Sequence, residues 1–329
     1  MNSEILYEYY INRGFEDSKA KSAVQEILNL EMNLNEYNKT LINADISDIK
    51  RYVAILIDIG KNEADVLLAL ARYFYLIDRK DIYIYFTSIF GSSGVVENIK
   101  DRIVKFEGNT RADIIFKDLL IPELGAPLEE MPEFTKSFIN GMENCLDIEK
   151  CRKYLAGNNH GIPRDSFLDE KKLYENSESL DQYLEDKHKR IIDVLQKHCD
   201  ERKIWFEQII TQDVVNFVKS NQEILSAVRK DNKLYVTKIP YDTVNFLRES
   251  DENMKKYFLC HCPFIRESFR GKEAVNKSEI SGNWCYCSAG FEKFPFEVIF
   301  DTELEVELLE SPLLGDERCR FAIKLPFVI

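Results

Sequence analysis

The chain has 329 residues, which is room for two domains of ordinary size. Hydrophobic residues make up 45% of it and charged residues 31%, a balance that is typical of a folded protein and excludes disordered, collagenous and coiled-coil chains. The formal net charge of -13 argues against nucleic acid and membrane as partners, because both attract a basic surface.

The first 110 residues contain neither proline nor cysteine and show helical periodicity. Asp17 and Ser18 are candidate N-terminal caps of one helix. Apolar residues recur at helical spacing over residues 45–60 and again over residues 62–78. We therefore predict a helical domain over residues 1–110. Stacked short amphipathic helices are more typical of interaction or dimerisation than of catalysis, so the chain is a candidate homodimer.

The rest of the chain, residues 111–329, mixes the two periodicities. A small, polar, glycine-bearing loop at residues 156–163 has the composition of loops that carry function. The predicted fold class is α+β: an all-helical N-terminal domain followed by an α/β ligand-binding domain with an antiparallel sheet. In this second domain we predict helices over residues 180–199, 242–258 and 290–300, and strands over residues 205–211, 233–239, 304–309 and 319–325.

The compartment is inferred from features that the sequence lacks. Residues 1–20 hold several acidic residues and no apolar core, so we expect no signal peptide. No apolar run approaches the roughly 20 residues that a membrane-spanning helix needs. We therefore expect a cytoplasmic protein, in which thiols stay reduced. Clustered cysteines in that compartment are first considered as metal ligands or reactive groups.

The eight cysteines all lie at or after position 145, and four of them form two Cys-x-Cys pairs separated by 22 residues. In extended backbone, residues i and i+2 share a face, so that each pair can chelate one ion. Four thiolates suit a soft, tetrahedral ion such as zinc, although another metal fits too. The predicted zinc ligands are Cys260, Cys262, Cys285 and Cys287, and the additional candidate ligands are His261 and Cys319.

Three other interpretations of these cysteines stay open. They can be buried apolar residues of the core, they can form a disulfide if the compartment is oxidising, or one of them can be a nucleophile. A nucleophilic thiolate needs a nearby base, and the distant His160 suits that role better than His261, which points away from its cysteine neighbours. Glu207 is a second candidate base. The predicted catalytic residues are therefore His160 and Glu207.

The last 75 residues carry a pattern that resembles a known domain. The pattern consists of residues 285–291, a helix, residues 304–311, and then Gly315, Asp316, Cys319 and Phe321. It resembles the end of the 4-vinyl-reductase domain and is similar to the related aminothiazoline-carboxylate hydrolase-like proteins. That resemblance implies a small α/β ligand-binding fold, which is shared with subunits of transport-particle tethering complexes.

This chain departs from those families at two places. Ser311 stands where they usually have a cysteine, and the doubled Cys-x-Cys is not general to them. Over residues 156–321 the chain looks more like a bacterial family of uncharacterised proteins, and membership there implies no known reaction.

Two functional hypotheses follow. The first is a metal-binding protein with an adjacent pocket for an unknown small molecule, acting as a sensor or regulator. The second is a hydrolase that acts on a C–N or C–S bond of a small heterocycle or amide. In the second, a metal-bound water or a cysteine thiolate is the nucleophile.

Overall fold

The computed structural model describes residues 4–270 and 280–326. The chain divides into two compact units. The first runs to Ser93 and includes Pro122–Glu130, and the second comprises Gly94–Ile121 and the chain from Met131 onward. The predicted domain boundary after residue 110 therefore falls inside the second unit. Across the described ranges, no helix combines the length and the hydrophobicity that a membrane span requires.

The first unit is helical, and its third helix shows why. Asp45 caps that helix by accepting hydrogen bonds from the backbone N–H of Ser47 (2.9 Å) and of Asp48 (3.1 Å). The Asp48 carboxylate accepts in turn from the N–H of Asp45 at 3.0 Å, which completes a capping box. The helices of this unit are α1 (Glu4–Asn12), α2 (Asp17–Glu36), α3 (Ile46–Asp58), α4 (Ala64–Leu76) and α5 (Lys80–Phe90).

The second unit contains further helices and the strands. Its helices are α6 (Val95–Glu107), α7 (Asn109–Phe116), α8 (Met131–Cys145), α9 (Ile148–Leu155), α10 (Leu168–Glu175), α11 (Leu180–Asp200), α12 (Gln212–Lys219), α13 (Thr243–Arg248), α14 (Glu252–Leu259) and α15 (Tyr286–Ile299). Its strands are β1 (Ile204–Trp205), β2 (Gln208–Ile209), β3 (Val228–Lys230), β4 (Lys233–Thr237), β5 (Val306–Glu310) and β6 (Arg320–Lys324).

An antiparallel sheet of four strands, in the order β3-β4-β6-β5, organises the second unit. Along β4 the side chains alternate, so that Leu234 and Val236 are buried opposite Ile323 and Phe321 of β6. Helix α15 packs against β5 and β6. A helical N-terminal region followed by a region with antiparallel sheets confirms the predicted α+β class.

The strand predicted over residues 205–211 is wrong. The chain forms the short hairpin of β1 and β2 instead, with Trp205 paired with Gln208. Phe206 at its tip has a φ of +51°, a left-handed conformation that turns the chain back on itself. The buried side-chain amide of Gln208 anchors the hairpin to the chain that follows β4. Its Nε2 donates to the carbonyl of Pro240 (2.9 Å), and its Oε1 accepts from the N–H of Thr243 (3.1 Å).

The helix predicted to start at Gly290 starts four residues earlier, at Tyr286. Gly290 therefore lies inside α15, where it allows close backbone approach. A Cβ atom at this position would lie 2.4 Å from the carbonyl oxygen of Gly157 and 2.6 Å from the carbonyl carbon of Ala156. Only a residue without a side chain lets α15 pack this tightly against the segment that leads to His160.

We expect Gly290→Ala to destabilise the second unit by about 3 kcal/mol, because the clash is with backbone that no rotamer change can relieve. The measurement is urea unfolding of the full chain. Gly315→Ala is the control: it meets open space but keeps a φ of +99°, so it should cost only about 1 kcal/mol of backbone strain. Equal losses in the two variants would contradict the close-approach argument.

Candidate functional site

Four cysteines from three segments of the second unit line one small cavity. Cys260 follows the last residue of α14 in extended conformation, and Cys262 comes two residues later. Cys285 closes the short 3₁₀ turn before α15, and Cys319 directly precedes β6. The cavity encloses about 10 Å³, roughly the space of one water molecule. We call Cys260, Cys262, Cys285 and Cys319 the thiol cluster.

The thiols of the cluster are buried close to one another. Burial raises the pKa of Cys260 well above its ordinary value, and the neighbouring Cys262, Cys319 and Cys285 raise it further. Burial also raises the pKa of Cys262 and Cys285, and it raises that of Cys319 to about 12. At neutral pH the cluster therefore holds neutral thiols, because a lone thiolate would lose its hydration there.

Two groups around the cluster favour the thiolate form against the larger effect of burial. The indole Nε1 of Trp284 donates a hydrogen bond to Cys262 Sγ at 3.3 Å, which lowers the pKa of that thiol. The ammonium of Lys238 lowers the pKa of both Cys262 and Cys319. Lys238 is fixed in place, since its backbone N–H donates to the Cys319 carbonyl at 2.9 Å and its Nζ lies 3.7 Å from the Glu292 carboxylate.

The predicted pair of Cys285 and Cys287 is divided between two environments. The assumption of extended backbone is wrong for this pair, because Cys285 ends a 3₁₀ turn and Cys287 lies in the first turn of α15. Helical residues two positions apart point roughly 200° away from each other. Cys287 accordingly does not line the cavity of the thiol cluster, and its Sγ lies 3.8 Å from Nε2 of His160.

His160 and Cys287 form a neutral pair. Burial first, and the charge of Lys238 second, lower the pKa of His160 to about 4. Burial raises the pKa of the Cys287 thiol to about 12. The imidazole ring also meets the ring of Phe291 edge to face, with centroids 5.2 Å apart. An uncharged imidazole beside an uncharged thiol is the form present at neutral pH.

The loop that carries His160 is fixed by its neighbour Asn159, which is fully buried. The Asn159 amide Nδ2 donates to the carbonyls of Tyr154 (3.1 Å) and Leu155 (2.6 Å) at the end of α9. The backbone carbonyl of Asn159 accepts from Nδ2 of Asn98 at 2.9 Å. These bonds to the ends of two helices hold the imidazole against α15.

Glu207 and His261 form a second pair, which is separate from the pair of His160 and Cys287. The Nδ1 of His261 lies 2.9 Å from Oε2 of Glu207, and its Nε2 donates to the carbonyl of Ile239 at 2.7 Å. Burial would raise the pKa of Glu207, but the hydrogen bond and charge of His261, together with the charges of Arg266 and Lys238, outweigh it and lower the pKa. Because both ring nitrogens are already engaged, His261 has no nitrogen left to point at the thiol cluster.

The structure thus places the predicted site residues in three groups, although His261, which is bonded to Glu207, also lines the cavity of the thiol cluster. Cys260, Cys262 and Cys285 come together with Cys319, which the sequence offered only as an additional candidate. In residues 4–270 and 280–326, no three His, Cys, Asp or Glu side chains stand in an arrangement that could hold a metal ion. The zinc site stays a prediction. Lys238, which directly follows β4, was not predicted as a site residue. Nothing in the sequence around it indicates that a distant thiol lies nearby.

A known protein family matches this part of the chain. Residues 235–327, which include the thiol cluster, β5, β6 and the last three residues of β4, match a family of unknown function, DUF6144. The C-terminal region is therefore similar to an uncharacterised family, as the sequence indicated. No curated protein and no solved structure matches the chain.

We expect the His160 ring to stay neutral down to about pH 4 in the folded protein, whereas the unfolded chain binds that proton near pH 6.5. The unfolded state therefore binds more protons between these values, and the stability should fall as the pH decreases from about 6.5 to about 4. NMR titration of the ring measures its pKa directly. His160→Gln should remove this part of the pH dependence of urea unfolding, and a ring that titrates near 6.5 would contradict the prediction.

Proposed function

We propose that this protein binds a soft metal ion, zinc above all, through the thiol cluster. One observation carries the proposal: four cysteines from three segments line a single cavity about the size of one water molecule, so that metal binding would require their side chains to turn toward one ion in that cavity. Zinc bound to four thiolates is the common structural form of such a site, and soft sulfur ligands select it over magnesium or calcium.

The chemistry of the cluster supports metal binding over a purely apolar role. Cysteines in a core need no polar partner, yet here Cys262 accepts the Trp284 N–H and Ser311 forms a hydrogen bond with Cys285. Four thiolates around a divalent zinc ion carry a net charge of roughly -2. The Lys238 ammonium would offset part of that charge in a buried setting. Metal binding would release the thiol protons and add to the folding stability of the second unit.

The proposed ligand set differs from the one expected from spacing by one residue. Cys319 takes the place of Cys287, because Cys319 lines the cavity and Cys287 faces His160. All eight cysteines are free thiols. That state fits the proposed cytoplasmic location, where thiols stay reduced, better than the disulfide alternative.

The resemblance of the last 75 residues to the 4-vinyl-reductase domain is the basis for a second part of the proposal, the binding of a small molecule. It would make the second unit a small-molecule-binding module, and the metal site would then be structural or would serve a sensory or regulatory role. The hydrolase-like relatives of that domain are the source of the enzymatic alternative.

We expect wild-type protein to bind one zinc or cobalt(II) ion per chain, with the sulfur-to-cobalt charge-transfer absorption of a thiolate site. Cys319→Ser should weaken binding by more than about 100-fold, since loss of even an indirect partner costs about 10- to 100-fold. Cobalt titration followed by absorption, with zinc competition, measures the affinities.

Cys287→Ser and Cys145→Ser are the matched controls, and both should bind cobalt like the wild type. A wild-type protein that takes up neither ion after reduction would refute the proposed site. If Cys287→Ser lost binding while Cys319→Ser kept it, the ligand set expected from the Cys-x-Cys spacing would be correct instead.

The second candidate is a thiol nucleophile, Cys287, with His160 as its base, and the 3.8 Å distance between them favours it. The pKa values weigh against it. Moving the proton from a thiol of pKa about 12 to an imidazole of pKa about 4 costs on the order of 11 kcal/mol. Glu207 offers no help, because it is bound to His261. We therefore rank the hydrolase below the metal-binding protein.

Reactivity separates these two candidates. We expect iodoacetamide to alkylate Cys287 in the native protein more slowly than the half-buried Cys145, because a buried neutral thiol is a poor nucleophile. Peptide mass spectrometry after timed quenching gives both rates. Fast alkylation of Cys287 that is lost in His160→Gln would overturn this ranking in favour of the enzyme.

A further inference from the structure

A second and much larger pocket lies in the same unit, next to the thiol cluster. It has a volume of about 320 Å³, at the lower end of the range for small-molecule sites. The thiol-cluster cavity, by comparison, has room for little more than one water molecule. Its lining includes Phe217, Ser220, Asn221, Phe246, Leu259 and Arg318.

The walls of the pocket are largely apolar and include an aromatic pair. The rings of Phe217 and Phe246 meet edge to face, with centroids 6.3 Å apart. Ile224 and Leu259 are buried around them. Aromatic rings set in this way offer a face and an edge to a further planar ring, which is a favourable contact beyond the area that it buries.

The charged groups of the pocket already have partners within the described protein. The Lys238 ammonium lies 3.7 Å from Glu292, and Glu317 accepts from Nζ of Lys255 at 2.9 Å. The Arg318 guanidinium makes two hydrogen bonds, of 2.8 and 2.6 Å, with the carboxylate of Glu310. A charged ligand would have to leave water and compete with these pairs, so the pocket favours an uncharged one.

Asn221 supplies a polar group that can orient a ligand. Its Oδ1 accepts from the backbone N–H of Glu223 at 3.0 Å, which fixes the amide. In the described part of the chain its Nδ2 makes no hydrogen bond, so this NH₂ group is free to donate into the pocket. A ligand whose acceptor atom or ring π-face meets this N–H group would therefore gain both a hydrogen bond and the aromatic contacts.

We infer that this pocket binds a small, uncharged aromatic or heteroaromatic molecule that carries a hydrogen-bond acceptor or a ring π-face toward Asn221. The inference rests on the proposal that the second unit binds a small molecule, and it is independent of the proposal that the thiol cluster binds a metal ion. Three segments contribute neighbouring residues to both cavities, yet α12, with Phe217 and the following Ser220, belongs to the pocket only.

The experiment uses three probes with one ring system and different charge: indole, indole-3-acetate and tryptamine. Saturation-transfer NMR and calorimetry on the full chain, with and without added zinc, measure binding. We expect indole to bind with a Kd in the millimolar range or tighter, and both charged probes to bind at least about tenfold more weakly. Absence of saturable indole binding, or equal binding of a charged probe, would overturn the inference.

Site variants place the binding. Ser220 is exposed at the rim, so Ser220→Trp should fill the pocket without disturbing the core and weaken indole binding at least about tenfold. Ser250→Trp, at an exposed position outside the pocket lining, is the matched control and should leave binding unchanged. Unchanged binding in Ser220→Trp would assign indole to another site. Zinc binding without indole binding would refute this inference alone, and the reverse result would refute the metal site alone.

Discussion

The antiparallel pairing of β4 with β6 is the constraint on which both cavities depend. Thr237 lies opposite Arg320, and the ladder continues one step further, where the Lys238 N–H donates to the Cys319 carbonyl. This step places an ammonium group beside a buried thiol. A register slip of one residue would turn every side chain of β6 to the other face and remove Phe321 from the core. Burial of one face of the sheet therefore fixes the register, and the register places Lys238 next to Cys319.

Electrostatics gives the two cysteine environments different capacities. In the thiol cluster, an ion with two positive charges could stabilise several thiolates at once, and Lys238 already favours that form. Beside His160 there is a single thiol, and Lys238 lowers the pKa of both the Cys287 thiol and the imidazole that would have to accept its proton. The same cation thus supports metal binding in one place, whereas in the other its two effects on the proton transfer offset each other.

Local patterns allowed much of the fold to be predicted from the sequence. Helical periodicity located α3 and α4 to within two or three residues, and period-two alternation located β4 and β6. The errors came where local pattern and tertiary structure disagree. The start of α15 was misplaced because Gly290 resembles a helix start, whereas it is a mid-helix contact with Gly157. Phe206 gave no sign of its positive φ, since an aromatic residue rarely adopts it.

The candidate site was predictable only in part for the same reason. Spacing identified three members of the thiol cluster, because Cys-x-Cys pairs are visible along the chain. The spacing could not show that Cys319, and not Cys287, belongs to the thiol cluster. That difference depends on the helical backbone at Cys285 and on the register of β6. Long-range pairing of this kind leaves no local trace in a single sequence.

The two cavities share walls because adjacent residues of the same segments line one cavity or the other. Leu259 lines the larger pocket and Cys260 lines the smaller cavity, and the same relation holds for Arg318 and Cys319. A substitution in either segment therefore alters both cavities, and its effect on one cannot be assigned without the other. Helix α12 carries no such ambiguity, because its residues line only the larger pocket. Variants there can separate ligand binding from metal binding in one chain.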